Sequence, residues 1–385
     1  MIYISAVGML SALGNDMATT AENLARNEAP GMQPDSGWLP EGKSCWTGRI
    51  TAALPPIPDS FAAHRSRNNQ LLLAALQQIQ PQVDEAISTF GADRVAVVLG
   101  TSTSGLHEAD SKVAESADGY HYYQQELGDP SRFLAQYLHL SGPAYTLSTA
   151  CSSSARAIIS GQRLIDSGLA DVAIVGGADT LSRMPINGFD SLESLSGVRC
   201  APFSKQRNGI TIGEGAALML LTRVPQQVAL LGVGESSDAY HMSAPHPEGE
   251  GAIRAIKMAL SQANLAPDAL GYINLHGTAT RLNDQIEAGV VNALFGERIP
   301  CSSTKHLTGH TLGAAGICEA AISWLILTQS VPLPPQDFTH TEQDDTLPAC
   351  GVLLQARPLV GSAVMSNSFA FGGNNTCLIL GKCNG

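Results

Sequence analysis

A chain of 385 residues is long enough for two ordinary domains or one large duplicated one. With 44% hydrophobic and only 15% charged residues, much of it must lie in a core or an interface. A formal charge of -12 argues against a nucleic-acid binder and against attraction to an anionic membrane.

The eight cysteines (45, 151, 200, 301, 318, 350, 377, 383) form no C-x-x-C pair and no matching Cys/His spacing, so no metal site is expected. The apolar N-terminus lacks a basic leader region and reads as a first strand. No uncharged apolar stretch reaches membrane-spanning length, and the expected location is cytoplasmic.

Short apolar runs predict strands at Ile2–Val7, Val95–Leu99, Ala144–Leu147, Val172–Val175, Ala216–Leu221, Gly271–Leu275, Ala363–Ser366 and Thr376–Leu380. Continuous apolar runs of this kind fit strands covered on both faces. Between them, a helix is predicted over Asn69–Phe90, kinked or split by Pro81. Others are predicted at Ser152–Ser167, closed by Gly168, and at Gly251–Asn264. Asp284–Phe295 opens with an apparent capping box, Asp284-x-x-Glu287, and His310–Gln329 is apolar enough to be a buried helix.

The order of elements repeats. Each half runs from a strand into a Gly-Thr turn, then a Ser/Thr-rich turn and small-residue helix, then an apolar strand entering Gly-Gly. This predicts an α/β fold of duplicated βαβ halves, residues 1–225 and 226–385, with residues 31–60 and 105–140 as irregular insertions.

Cys151 stands where a strand turns abruptly into a helix among small neighbours. A thiol at a helix N-terminus meets unpaired amides that favour the thiolate. An inert buried cysteine is the bland alternative, and the strand–turn–helix context argues against it. His276 ends an apolar strand, where α/β folds place their sites, although a lone histidine there is more often a core residue. His310 opens the buried helix. Lys305 and Glu319 beside it would be costly unless paired, which predicts a polar network with His310 or a structural ion pair. His306 reads as a surface or supporting residue. The glycine turn Gly372-Gly373 could bring a backbone N–H close to a carbonyl, with Phe369 or Phe371 either in the core or gating a tunnel.

Taken together, these stretches resemble the β-ketoacyl-ACP synthase (ketosynthase) family of the thiolase fold. Further matches are Ser5–Gly14, Gly176-Gly-Ala178, Gly213-Glu-Gly-Ala216 and Ser237–Met242, so the likeness spans essentially the whole chain. The resemblance implies a five-layered αβαβα arrangement. Cys151 would accept an acyl chain from a carrier-protein thioester. His276 and His310 would donate hydrogen bonds to the malonyl thioester as it loses CO2. The amides of Cys151 and Phe371 would form the oxyanion hole, Phe371 would gate, and Lys305 with Glu319 would support the second histidine. Thr278 and Thr280 would line the pantetheine channel, with Phe369, Gly372 and Gly373 nearby.

The family needs no cofactor. Its partner is acyl carrier protein, and the assembly expected is a homodimer or a heterodimer with a chain-length-factor-like subunit. Ala370, Asn374, Arg281-Leu282 and Ala201–Lys205 depart from the usual pattern and point to a secondary pathway of aryl polyene type. Housekeeping fatty-acid elongation is the alternative. From another class, a Cys-His pair could serve a thiol-dependent thioester hydrolase. A structural subunit shaping a partner's cavity fits less well, because the nucleophile and both histidines are intact. Arg65, Arg67, Lys205 and Arg207 are candidate docking residues for an acidic carrier protein, and ordinary solvated charges fit them equally well.

Overall fold

A computed structural model describes residues 1–115 and 120–383. In the N-terminal half the strands are β1 (Ile2–Ser11), β2 (Met32–Asp35), β3 (Cys45–Gly48), β4 (Val95–Gly100), β5 (Ala144–Leu147), β6 (Val172–Asp179), β7 (Ile212–Gly213) and β8 (Gly215–Thr222). The C-terminal half contributes β9 (Val228–Ser237), β10 (Tyr272–Asn274), β11 (Cys301–Ser302), β12 (Ala363–Phe369) and β13 (Asn374–Lys382).

Ten of these strands form one sheet in the order β11-β10-β12-β13-β9-β1-β8-β6-β4-β5. Both ends are parallel triplets: β5-β4-β6 on one side and β11-β10-β12 on the other. Antiparallel pairs lead inward from each triplet to the join between β1 and β9. The two halves therefore repeat one strand order.

Alternation along the strands explains the layers. Val95, Val97 and Leu99 of β4 face an outer core built with helices Arg67–Gln77, Gln80–Phe90 and Asp129–Tyr137. Ala96 and Val98 face a central core shared with Val364, Leu378 and Leu380 of the other half. Helices Ser153–Asp166 and Ala315–Gln329 fill that central layer. A third core packs Ile273, Met365 and Ile379 under helices Glu250–Ala263 and Arg281–Phe295. The result is the five-layered thiolase arrangement. The central helices approach closely at Gly316, where an added Cβ would lie 2.7 Å from the Ala155 Cβ.

Pro81 splits the predicted long helix into Arg67–Gln77 and Gln80–Phe90, and sits in the first turn of the second, where its missing N–H costs nothing. Several expectations need correction. Strand β9 was not predicted, because its glycines at 232 and 234 break the apolar run. These glycines let the helix Glu250–Ala263 lie directly on the strand. Residues 105–140 are not wholly irregular, since they hold helices Leu106–Glu115 and Asp129–Tyr137; residues 116–119 lie outside the described ones. Residues 31–60 hold β2 and β3, which form a small sheet with β7. The last core helix begins at Ala315 rather than His310, after a 3-10 turn at Leu312–Ala314. Leu312–Gln329 is the one stretch among the described residues apolar and long enough to cross a membrane; it is 83% buried in the core.

Candidate active site

Cys151 follows β5 at an elbow. Ala150 takes a left-handed φ of 52°, unusual for a residue with a Cβ, and helix Ser153–Asp166 begins two residues past the thiol. The Ser153 hydroxyl braces the elbow, donating to the Ala150 carbonyl at 2.6 Å and accepting the Thr149 N–H at 2.9 Å. The expected thiolate does not survive burial. Desolvation pushes the thiol up to about 11, opposed by the charge of Lys305 and by the amides of Phe371 and of Cys151 itself. The resting group is a thiol on which those two amides converge.

His276 extends from the end of β10. The Glu287 carboxylate accepts its backbone N–H and that of Gly277, each at 2.7 Å. Asp284 accepts from the amides of Phe203 and Ala279 at 2.9 and 3.2 Å. The Asp284-x-x-Glu287 pattern is therefore not a capping box. Helix Arg281–Phe295 starts earlier, with Thr280 at its N-cap, and these two acids turn inward to hold the histidine loop. Burial, opposed by those donors, raises Asp284 to about 6 and Glu287 to about 7.

Buried Lys305 forms an ion pair with buried Glu319. Its Nζ also donates to the His276 carbonyl at 2.7 Å and lies 3.4 Å from His276 Nδ1. The pair thus braces the first histidine as an ion pair, one of the two expectations, and among the described residues it makes no hydrogen bond to His310, so the expected support of the second histidine is not what the geometry places there. Burial raises the Glu319 carboxyl, and the lysine beside it works against that rise.

His310 is held at both ends of its backbone, its N–H donating to Thr211 at 2.7 Å and its carbonyl accepting from Gly213 at 3.0 Å. Nδ1 accepts the Leu312 N–H at 3.2 Å, so the ring's proton sits on Nε2, which lies 3.0 Å from Cys151 Sγ. The ring of His276 stands 5.6 Å away, edge-on at 87°. Burial, then the charge of Lys305, holds both imidazoles well below their usual range, so both are neutral. Sγ and one nitrogen of each ring lie within 4.8 Å of one another. The geometry alone could take one cation, but the Lys305 ammonium, whose charge bears on all three groups, opposes it.

These three residues floor a cavity of about 340 Å³. Thr278, Thr280, Phe369 and Phe371 line it, and so do Phe189, Ile210 and Asn208, which the sequence did not mark. Phe189 carried no sequence signal; its ring meets Phe371 at 5.5 Å. Gly372 and Gly373 do not line the cavity. They shape the turn, at φ 82° and 74°, and an added Cβ on Gly373 would lie 2.8 Å from that of Asp238. His306 is buried rather than exposed, bonded to Ser303 and Asn27.

Two docking candidates are structural. Arg67 grips buried Glu214 with two hydrogen bonds, at 2.8 and 2.6 Å. Arg207 is buried against Asp344 at 2.5 Å. Arg65 and Lys205 are the exposed ones, beside Asp59 and beside Glu342 and Asp345, while Arg67 is half-buried.

Family models match along most of the molecule: β-ketoacyl synthase N-terminal domain over residues 2–227 and C-terminal domain over residues 228–339. The chain belongs to the β-ketoacyl synthase family. It is a condensing enzyme of the acyltransferase type. A 3-oxoacyl-[acyl-carrier-protein] synthase 2 of Rhizobium meliloti is 36% identical over 64% of this chain and 62% of its own length. The Staphylococcus aureus protein of the same name is 28% identical over 99% and 98%. Among solved structures, the complex of ketosynthase ApeO with its chain length factor ApeC from Xenorhabdus doucetiae holds a chain 66% identical. It superposes with a TM-score of 0.98 over 99% of this chain and 98% of that one. The ishigamide ketosynthase/chain length factor matches at 25% identity and a TM-score of 0.89, over 100% and 99%.

Proposed function

We propose that this β-ketoacyl synthase elongates an acyl chain delivered by acyl carrier protein, using malonyl-carrier protein as the two-carbon donor and no cofactor. The observation that carries this reading is the set of N–H donors around one sulfur: His310 Nε2 at 3.0 Å from Sγ, His276 beside it, and the amides of Cys151 and Phe371.

The sulfur attacks the acyl thioester carbonyl, whose developing oxyanion takes the two amides. The thiol proton leaves with the pantetheine sulfur. When the malonyl thioester enters, the Nε2–H groups of both neutral histidines hold its carbonyl oxygen as the bond to CO2 breaks. The resulting enolate carbon attacks the acyl-Cys carbonyl, and the cysteine sulfur departs as a thiolate that takes a proton from solvent to restore the resting thiol, leaving a 3-oxoacyl thioester on the carrier. Neutral rings suit this role, since their protons stabilise negative charge on oxygen.

For pathway and assembly, we propose a polyene-forming route of aryl polyene type and a heterodimer with a chain-length-factor-like subunit. Support for the assembly comes from the likeness to two ketosynthases solved with such partners, and the pathway reading rests on the departures from the family pattern, of which Arg281 and Leu282 lie on the cavity wall. The test is incubation with a panel of acyl-carrier proteins followed by intact-mass measurement, then addition of malonyl-carrier protein. A mass gain on Cys151 and a 3-oxoacyl product are expected. Free acid without a malonyl requirement would instead establish the hydrolase.

A further inference from the structure

Asp179, at the end of β6, has no part in the chemistry above and is fully buried. No lysine or arginine pairs with it among the described residues. Its Oδ1 accepts the hydroxyls of Thr101 and Thr103 and the Thr103 amide, each at 2.7 Å, and the Ser102 amide at 2.8 Å. All these donors belong to its own half, in the loop after β4. Its Oδ2 also accepts the Ser102 amide, at 3.1 Å, and reaches into the other half to accept the Ala314 N–H at 3.0 Å.

Ala314 closes the turn that begins at His310. Within that turn Leu312 adopts φ 52°, a left-handed conformation that a branched residue does not choose unaided. The amide of this same residue donates to His310 Nδ1 at 3.2 Å. Gly313 is pressed against the same loop, with the position of a Cβ only 2.7 Å from Asp179 Oδ2 and 2.8 Å from the Ser102 nitrogen. The turn is thus pinned at one end by the bridge of His310 to Ile212, and at the other by one carboxylate oxygen.

We propose that Asp179 is a positioning residue for His310. By holding Ala314 it fixes the 310–314 turn, which keeps the Leu312 amide on Nδ1 and so leaves Nε2–H as the donor facing the thioester. This rests on the reading that His310 serves malonyl decarboxylation. Because the carboxylate is anchored in one half and grips the other, it also sets the distance between the sulfur's half and the ring's half.

The test is Asp179→Asn, which keeps the shape but places an NH2 against either Ala314 or the threonine loop. Two half-reactions are followed: acyl transfer to Cys151 by intact mass, and CO2 release from malonyl-carrier protein. Decarboxylation should fall by about ten- to a hundredfold while acyl transfer falls by less than about fivefold. In a His310→Ala background the same change should add nothing, since Asp179 acts through that ring. Equal losses in both half-reactions, or losses that multiply in the double variant, would show a merely structural residue and overturn the proposal. If the asparagine variant does not fold, Thr101→Val decides. It keeps the carboxylate, removes one donor, and should give the same split at about threefold. An unchanged or evenly reduced Thr101→Val enzyme would refute the idea. A wild-type protein that neither takes an acyl group nor releases CO2 would instead sink the functional reading beneath it.

Discussion

The two halves share a strand order but use equivalent strand ends differently. After β5, the nucleophile stands two residues before its helix, so its own amide bears on the sulfur, joined by the amide of Phe371 from the other half. After β11, the chain first forms the short helix Lys305–Thr308, and His310 stands five residues before Ala315. That distance makes room for a turn whose amide fixes the ring's tautomer. The loop after β4 supplies only donors to a buried anchor, Asp179, whereas the loop after β10 carries His276 and two cavity-lining threonines. One half thus carries the group that forms the covalent bond, and the other carries the proton-bearing groups that stabilise charge. Duplication provides matched positions, and the spacing to the following helix decides which chemistry each can host.

The largest expected effects break this division outright. Cys151→Ala should reduce acyl loading by about a thousandfold or more while leaving CO2 release measurable, read by intact mass and by trapped CO2. Survival of loading would move the nucleophile elsewhere. His276→Ala and His310→Ala should each lower decarboxylation by about a hundredfold or more, with a much smaller effect on loading. If either histidine variant lost loading as severely as decarboxylation, the separation of roles between the halves would collapse.

The same separation should be visible in pH profiles. A thiol held up at about 11 by burial is mostly protonated at neutral pH, so loading should rise about tenfold per pH unit from about pH 7 to about pH 9. For the histidines, burial lowers both groups, so they lose their protons more readily than free imidazole. They stay neutral as the pH falls from about 8 to about 6, a range in which an ordinary histidine becomes charged. Decarboxylation should therefore stay flat there. A drop centred on the ordinary imidazole range would mean that one ring is not buried as described.

Much of this division was legible in the sequence, because strand ends and glycine turns mark sites through local pattern. Cys151, His276 and His310 each sit where an apolar run meets small residues, and the duplicated order placed the cysteine in one half and both histidines in the other. What escaped depends on contacts across the chain. Asp284 and Glu287 satisfy a helix-capping pattern in one dimension, and only the fold shows them gripping the amides of Phe203, Ala279, His276 and Gly277. The desolvation that keeps Cys151 protonated is likewise a property of the assembled core. Lys305 was read beside His310 from five-residue proximity, yet folding carries its ammonium to His276, 29 residues away in sequence. Charged side chains such as Arg67 and Arg207 carry no sequence mark that separates a buried pair from a solvated one.

Arg67 and its exposed neighbour Arg65 support the smallest catalytic predictions. Arg67 lies within the first half and offsets a carboxylate, Glu214, that also accepts the Ile50 amide at 3.0 Å. Arg67→Ala should therefore destabilise the fold by about 3 kcal/mol, seen as a shifted denaturant midpoint, because it strands a buried charge. Purified folded enzyme should still load acyl groups within about twofold of wild type. Arg65→Glu should leave stability unchanged, since its partner Asp59 is exposed. Carrier-protein transfer should slow by at most a few-fold, and only at low salt, if Arg65 faces the acidic carrier. The informative contrast is between substrates. Slowed transfer from acyl-carrier protein with unchanged transfer from a small acyl-pantetheine thioester would assign Arg65 to docking, and rates equal to wild type with both donors would remove this surface from the carrier's path.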